Sequence, residues 1–133
     1  MIVFFQLILL SLPFYKAIIH DRIKKIVTMI KVRLSNYDLD SLKVVFSEIF
    51  LLGDHLWLFG SRVDLTKKGG DIDLYIETYL DSAEEAIKME NKFISQLEEK
   101  IGEQKIDVVL NLMKYPYSLP IHKVALTKGI RII

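Results

Sequence analysis

Apolar residues recur along this chain with two different periods. Leu42, Val45, Phe46, Ile49 and Phe50 follow helical spacing, which predicts a helix capped by Asp38 or Asp40 and ended by Gly53-Asp54. Ala86, Met89, Phe93, Leu97 and Ile101 predict a second helix. Ser82 and Glu85 stand at capping-box spacing at its start, and Gly102 suits its end. Between the two helices, His55 to Phe59 is a short apolar run of the kind buried on both faces of a sheet. Asp71 to Glu77 alternates with period two, so Ile72, Leu74 and Ile76 face one way and Asp71, Asp73 and Tyr75 the other. Lys105 to Met113 reads as a third strand. Pro120 to Lys128 predicts a short helix stopped by Gly129, and Ile130 to Ile133 a last edge strand. Ile30 to Leu34 reads as a short strand or a lead-in, and Ser35-Asn36-Tyr37 as a turn. This order of elements predicts a small α/β domain.

Residues 1–28 stand apart. Met1 to Tyr15 carries no charged side chain, and Pro13 would disturb a helix through it. The run is shorter than the ~20 residues that span a bilayer. It also lacks the basic start and small-residue cleavage site of a signal peptide, so a membrane location is disfavoured. Three readings stay open for residues 1–28: an extension ahead of a start at Met29, an amphipathic segment packing on the domain or on a partner, or an anchor. The remaining 29–133 reads as one domain.

The formal net charge is +1. Residues 1–28 hold four basic residues (Lys16, Arg22, Lys24, Lys25) against one acid (Asp21), so 29–133 is mildly acidic. No long basic block occurs, and direct nucleic-acid binding is not expected. The absence of cysteine excludes disulfides and thiolate metal sites and fits a reducing cytoplasm.

The chemistry is concentrated in three places. Phe59-Gly60-Ser61 ends the first strand, a nine-residue polar spacer (Arg62 to Gly70) follows, and Asp71-Ile72-Asp73-Leu74 opens the second. Asp107 lies inside the apolar run Ile106 to Leu110. Asp is disfavoured within strands. Two carboxylates about 6.6 Å apart on one face repel by roughly 2.5 kcal/mol at an effective dielectric near 20. Such a cluster holds a proton or a cation, and oxygen ligands without His or Cys favour Mg²⁺ or Mn²⁺. Gly60 allows close backbone approach and Ser61 offers a hydroxyl, as a phosphate cradle requires. Arg62 is open to two readings, a phosphate or acceptor contact and a solvated surface residue. Lys67 and Lys68 read as a solvated loop, and Trp57 as core. His20, His55 and His122 lack metal-ligand spacing. No Walker or Gly-x-Gly-x-x-Gly motif occurs.

This three-part pattern resembles the DNA polymerase beta nucleotidyltransferase superfamily, and within it the minimal nucleotidyltransferases, over residues 29–133. The spacer after Ser61 is one residue shorter than is usual there, and Gly70 stands where a Ser often precedes the first Asp. The resemblance implies a small mixed sheet with helices packed on it. It implies that Gly60, Ser61 and Arg62 hold the triphosphate of ATP. It further implies that Asp71, Asp73 and Asp107 bind two Mg²⁺ ions, with Asp107 helping to deprotonate the acceptor. By the same likeness the chain would transfer AMP to a tyrosine hydroxyl of a partner HEPN-domain toxin and act as its antitoxin. Two other readings stand beside this one: a non-catalytic antitoxin that occludes its partner, and nucleotidyl transfer to a small molecule. The sequence leaves the oligomeric state, homo- or hetero-oligomer included, open.

Overall fold

The computed structural model describes residues 13, 16–19 and 31–133. Apart from residues 13 and 16–19, the segment 1–28 and Ile30 fall outside the described residues, as do the expectations for them. The chain divides into two units at Lys31/Val32, and the second carries the elements below.

Helix α1 spans Asn36–Ile49. Its N-cap is Ser35, whose Oγ accepts from the Asp38 N–H at 3.0 Å, so neither Asp38 nor Asp40 is the cap. Ser35-Asn36-Tyr37 is therefore a helix start and not a turn, because the same hydroxyl chemistry serves both. Residues 31–34 form no strand. Strand β1 is His55–Phe59, followed by a 3₁₀ turn at Gly60–Val63. Strand β2 is Ile72–Thr78. Helix α2 spans Ala83–Ile101, with Ser82 accepting from Glu85 N–H and Gly102 ending it at φ +83°. Strand β3 is Ile106–Leu112, helix α3 Pro120–Lys128 and the short strand β4 Ile130–Arg131.

The sheet order is β3-β2-β1-β4. β1 runs antiparallel to β2 and to β4, while β2 and β3 are parallel. The long helix α2 supplies the crossover that a parallel pair needs. The domain is thus a mixed α/β fold around a four-stranded sheet.

Strand alternation divides the side chains between two faces. Leu56, Leu58, Ile72, Leu74, Ile76 and Ile106 join Leu42, Val45 and Phe46 of α1 and Ala86, Phe93 and Leu97 of α2 in the main core. Phe46 and Phe50 stack at 4.9 Å between ring centres, and Phe93 meets both rings edge-on. This packing orders the helices by apolar burial and aromatic contact. On the opposite face Phe59, Tyr75 and Ala125 form a smaller cluster with Trp57 and Val109. That second face is only partly covered, and it carries the chemistry.

Asp54 joins the two ends of this frame. It is 2% exposed, and its carboxylate accepts from Leu51 N–H, Thr78 Oγ1 and Tyr79 N–H at 3.0, 2.7 and 2.9 Å. One buried acid thus ties the turn after α1 to the end of β2. Among the described residues, no helix is long and apolar enough to cross a membrane.

Candidate active site

The register of the sheet decides where the acids lie. Asp73 pairs with Asp107 across the parallel β2–β3 ladder, and Phe59 pairs with Asp73 across β1–β2. Directly paired residues share a face, so Asp73 and Asp107 both project from the second face. Asp71 immediately precedes β2. Its Oδ2 accepts from Lys105 Nζ at 2.9 Å, and the same ammonium lies 3.3 Å from Asp107 Oδ2. Lys105 therefore draws Asp71 and Asp107 toward one point beside Asp73.

Burial and like charge both act on Asp73. Desolvation raises its carboxyl above the ordinary range, and Asp107 and Asp71 push it the same way against the pull of Lys105. Hydrogen bonds to Asp71 and then Asp107 raise the Lys105 ammonium in turn. The side chains of Asp71 and Asp107 remain 42% and 51% exposed. Water thus relieves much of the burial cost that an acid inside an apolar strand suggests; the mutual repulsion is what remains.

Among the described residues, no three acidic or imidazole side chains form a ready-made metal cage. The Lys105 ammonium occupies the space between two of the carboxylates instead. The donor set nevertheless suits a hard divalent cation: it offers only carboxylate oxygens, partly solvated, with a flexible ammonium as their present countercharge.

The turn after β1 closes against these acids. Gly60 has φ +72°, and a Cβ there would sit 2.3 Å from Asp73 Oδ2. The Gly60 backbone thus lies directly on the Asp73 carboxylate. Gly70, at φ +93°, would place a Cβ 2.1 Å from Ser61 Oγ. The left-handed backbone favours glycine at position 70, and a side chain there would also have to displace the Ser61 hydroxyl. A 3₁₀ turn also begins with N–H groups that lack partners within the turn, as an anion cradle at Gly60-Ser61 needs.

Two arginines hold the loop shut. Arg33 donates from Nε to Asp64 O and from Nη2 to Ser61 O and Gly69 O, at 2.9, 2.8 and 2.8 Å. Its own N–H donates to Arg62 O. Arg62 donates from Nη1 to Arg33 O and from Nε to Gly70 O, at 2.9 and 3.2 Å. Arg62 is thus engaged as a brace of the cradle. Arg33 gave no signal in the sequence, because it lies 28 positions before the nearest carbonyl it holds.

The same face opens into a cavity of about 560 Å³ beyond the acids, between the far halves of β2 and β3 and helix α3. Tyr75, Glu77, Asn111, Tyr117 and His122 help to line it. Tyr75 OH donates to Glu77 Oε1 and accepts from Asn111 Nδ2, both at 3.0 Å. Burial raises the Tyr75 phenol to about 12.

Comparison with known protein families accounts for this arrangement. The family described as "Nucleotidyltransferase domain" matches residues 39–132. No curated protein matches the chain. The matched span contains the cradle, the three acids and every strand of the sheet. The chain belongs to the nucleotidyltransferase domain family of the polymerase beta-like superfamily, a family of transferases that act on nucleoside triphosphates, typically with a divalent metal.

Proposed function

We propose that residues 29–133 form a minimal nucleotidyltransferase domain that transfers AMP from ATP, with Mg²⁺, to a tyrosine hydroxyl of a partner HEPN-domain toxin and thereby silences it. The observation that carries the reading is the Asp73–Asp107 pairing, with Asp71 drawn to Asp107 through Lys105, beside the backbone of Gly60.

In this reading Asp71, Asp73 and Asp107 would hold two magnesium ions. Bound there, the metal neutralises phosphate charge and makes the acceptor hydroxyl easier to ionise. Gly60 and Ser61 cradle the β- and γ-phosphates, and Arg62 keeps that cradle in shape while adding positive charge beside it. The acceptor oxygen attacks the α-phosphorus. A bond forms between them as the bond from the α-phosphorus to the bridging oxygen breaks, and pyrophosphate leaves. Asp107, on the strand farther from the cradle, takes up the acceptor proton. Catalysis of this kind depends chiefly on positioning and charge neutralisation. A cytoplasmic location supplies the ATP.

The test is transfer of label from α-labelled ATP to the partner in the presence of Mg²⁺. Wild type should label and neutralise the partner, and the Asp71→Ala/Asp73→Ala variant should do neither. Equal neutralisation by both proteins without label would leave occlusion as the mode of action and end the catalytic reading.

A further inference from the structure

Two residues that line the cavity beyond the acids each hold a buried polar atom without a partner among the described residues. These atoms are Asn111 Oδ1 and His122 Nε2, on residues 9% and 4% exposed. Each has its other polar atom committed. Asn111 Nδ2 donates to Tyr75 OH, and His122 Nδ1 accepts from Leu119 N–H at 3.4 Å. Those commitments leave Asn111 Oδ1 as an acceptor and place the ring proton of His122 on Nε2 as a donor. Buried polar atoms without partners are rare and costly in a native fold. One acceptor and one donor on two residues that line a single cavity are what a planar ring with an amino group beside a ring nitrogen would satisfy.

The walls suit such a ring. Tyr75 and Tyr117 flank His122, with ring centres 5.4 and 6.0 Å from it. Tyr117 is exposed and sits on the irregular connection before α3. Its exposed ring offers a flat surface for stacking next to His122.

The direction is also right, given the reaction proposed above. The pyrophosphate cradle lies at the end of β1, the first two acids on β2 and the acceptor-side Asp107 on β3. An in-line displacement from β3 toward β1 therefore runs across the strands. The nucleoside is attached to the α-phosphorus at right angles to that axis, in a plane that includes the direction along the strands toward Tyr75. Tyr75 stands about 6.6 Å beyond Asp73 on the same face, a distance a ribose can bridge.

We infer that this cavity is the base pocket of the enzyme and that it selects an amino base, adenine in the reaction proposed above, against the oxo bases: Asn111 Oδ1 accepts from the exocyclic amino group, and His122 Nε2 donates to the neighbouring ring nitrogen. The inference rests on the nucleotidyl-transfer reading and adds to it the residues that choose the nucleotide. Guanine and uracil present a carbonyl where adenine presents the amine, and they leave both protein atoms mispaired.

The test is equilibrium binding of ATP, GTP, UTP and inorganic tripolyphosphate to the full chain with Mg²⁺. Wild type should prefer ATP over GTP and UTP by tenfold or more. Asn111→Leu and His122→Phe should each reduce that preference to threefold or less while keeping wild-type affinity for tripolyphosphate. Asn111→Asp, a closer fit to the native shape, should weaken the preference in the same sense. Equal affinity of wild type for the three nucleotides, or an ATP preference unchanged in all the variants, overturns the base pocket while tripolyphosphate binding keeps the transfer reading alive. If neither tripolyphosphate nor any nucleotide binds, the transfer reading fails and the pocket assignment goes with it.

Discussion

The backbone of Gly60 rests against the carboxylate of Asp73, so closely that an added methyl group would stand 2.3 Å from Oδ2. The turn and the acid thus form one unit, and a change in either moves the other. Gly60→Ala would be strained twice, by φ +72° and by the Asp73 contact. Left-handed backbone alone costs an alanine about 1–2 kcal/mol. Chemical denaturation should register at least that loss, and labelling of the acceptor should fall by more than tenfold. Near-wild-type activity in Gly60→Ala would show that the close approach has no catalytic purpose.

Lys105 is the present countercharge of Asp71 and Asp107. Lys105→Ala removes a cation that competes for the same oxygens. Mg²⁺ or Mn²⁺ binding to the nucleotide-free protein, measured by calorimetry, should tighten several-fold. Unchanged or weaker metal binding would mean that the ammonium and the metal do not share the site.

Arg33 ties the cradle at Ser61, Asp64 and Gly69. Arg33→Ala leaves those carbonyls to water and should loosen the loop by about 1–3 kcal/mol. Faster amide exchange across residues 60–70 and a raised KM for ATP are the expected signs, with the rest of the fold intact. Exchange as slow as in the wild type would place the loop's stiffness elsewhere.

Asp54 accepts from three donors in the core. Asp54→Ala leaves them unpaired at a cost of about 3 kcal/mol, seen as a lower midpoint in urea. Thr78→Val deletes a single one of those bonds and should cost less. A loss in Asp54→Ala no greater than in Thr78→Val would show that the buried acid is not the joint between the turn after α1 and the end of β2.

Burial raises the Glu90 carboxyl on α2 above its ordinary range. The folded state therefore favours the protonated form. This contribution is fully present below the unfolded-state value and is lost as pH rises through the folded-state value. Glu90→Gln should accordingly have a higher Tm than wild type at pH 7, and the difference should vanish below about pH 4. A Tm difference independent of pH would assign the effect to packing.

The alternation around Ile72, Leu74 and Ile76 was enough to put Asp73 on the face away from the helices, because strand side chains must alternate. The helix pattern at Leu42 to Ile49 and the caps at Ser82 and Gly102 were legible for the same reason: they depend on neighbours within one turn. The first cap was not legible, since Ser35, Asp38 and Asp40 can all supply the oxygen a helix start requires, and only the chain's path selects Ser35. The exposure of Asp71 and Asp107 was not legible either, because local sequence does not reveal how open the second face is.

Local pattern, then, was sufficient for the elements, their faces and the types of residue that carry the chemistry. Tertiary structure alone decided the Asp73–Asp107 register, the reach of Arg33 to the cradle, the position of Lys105 between two acids, and the placing of Asn111 and His122 along one cavity. Those relationships join residues far apart in the chain, and their distances follow from strand pairing and side-chain reach, which no periodicity encodes.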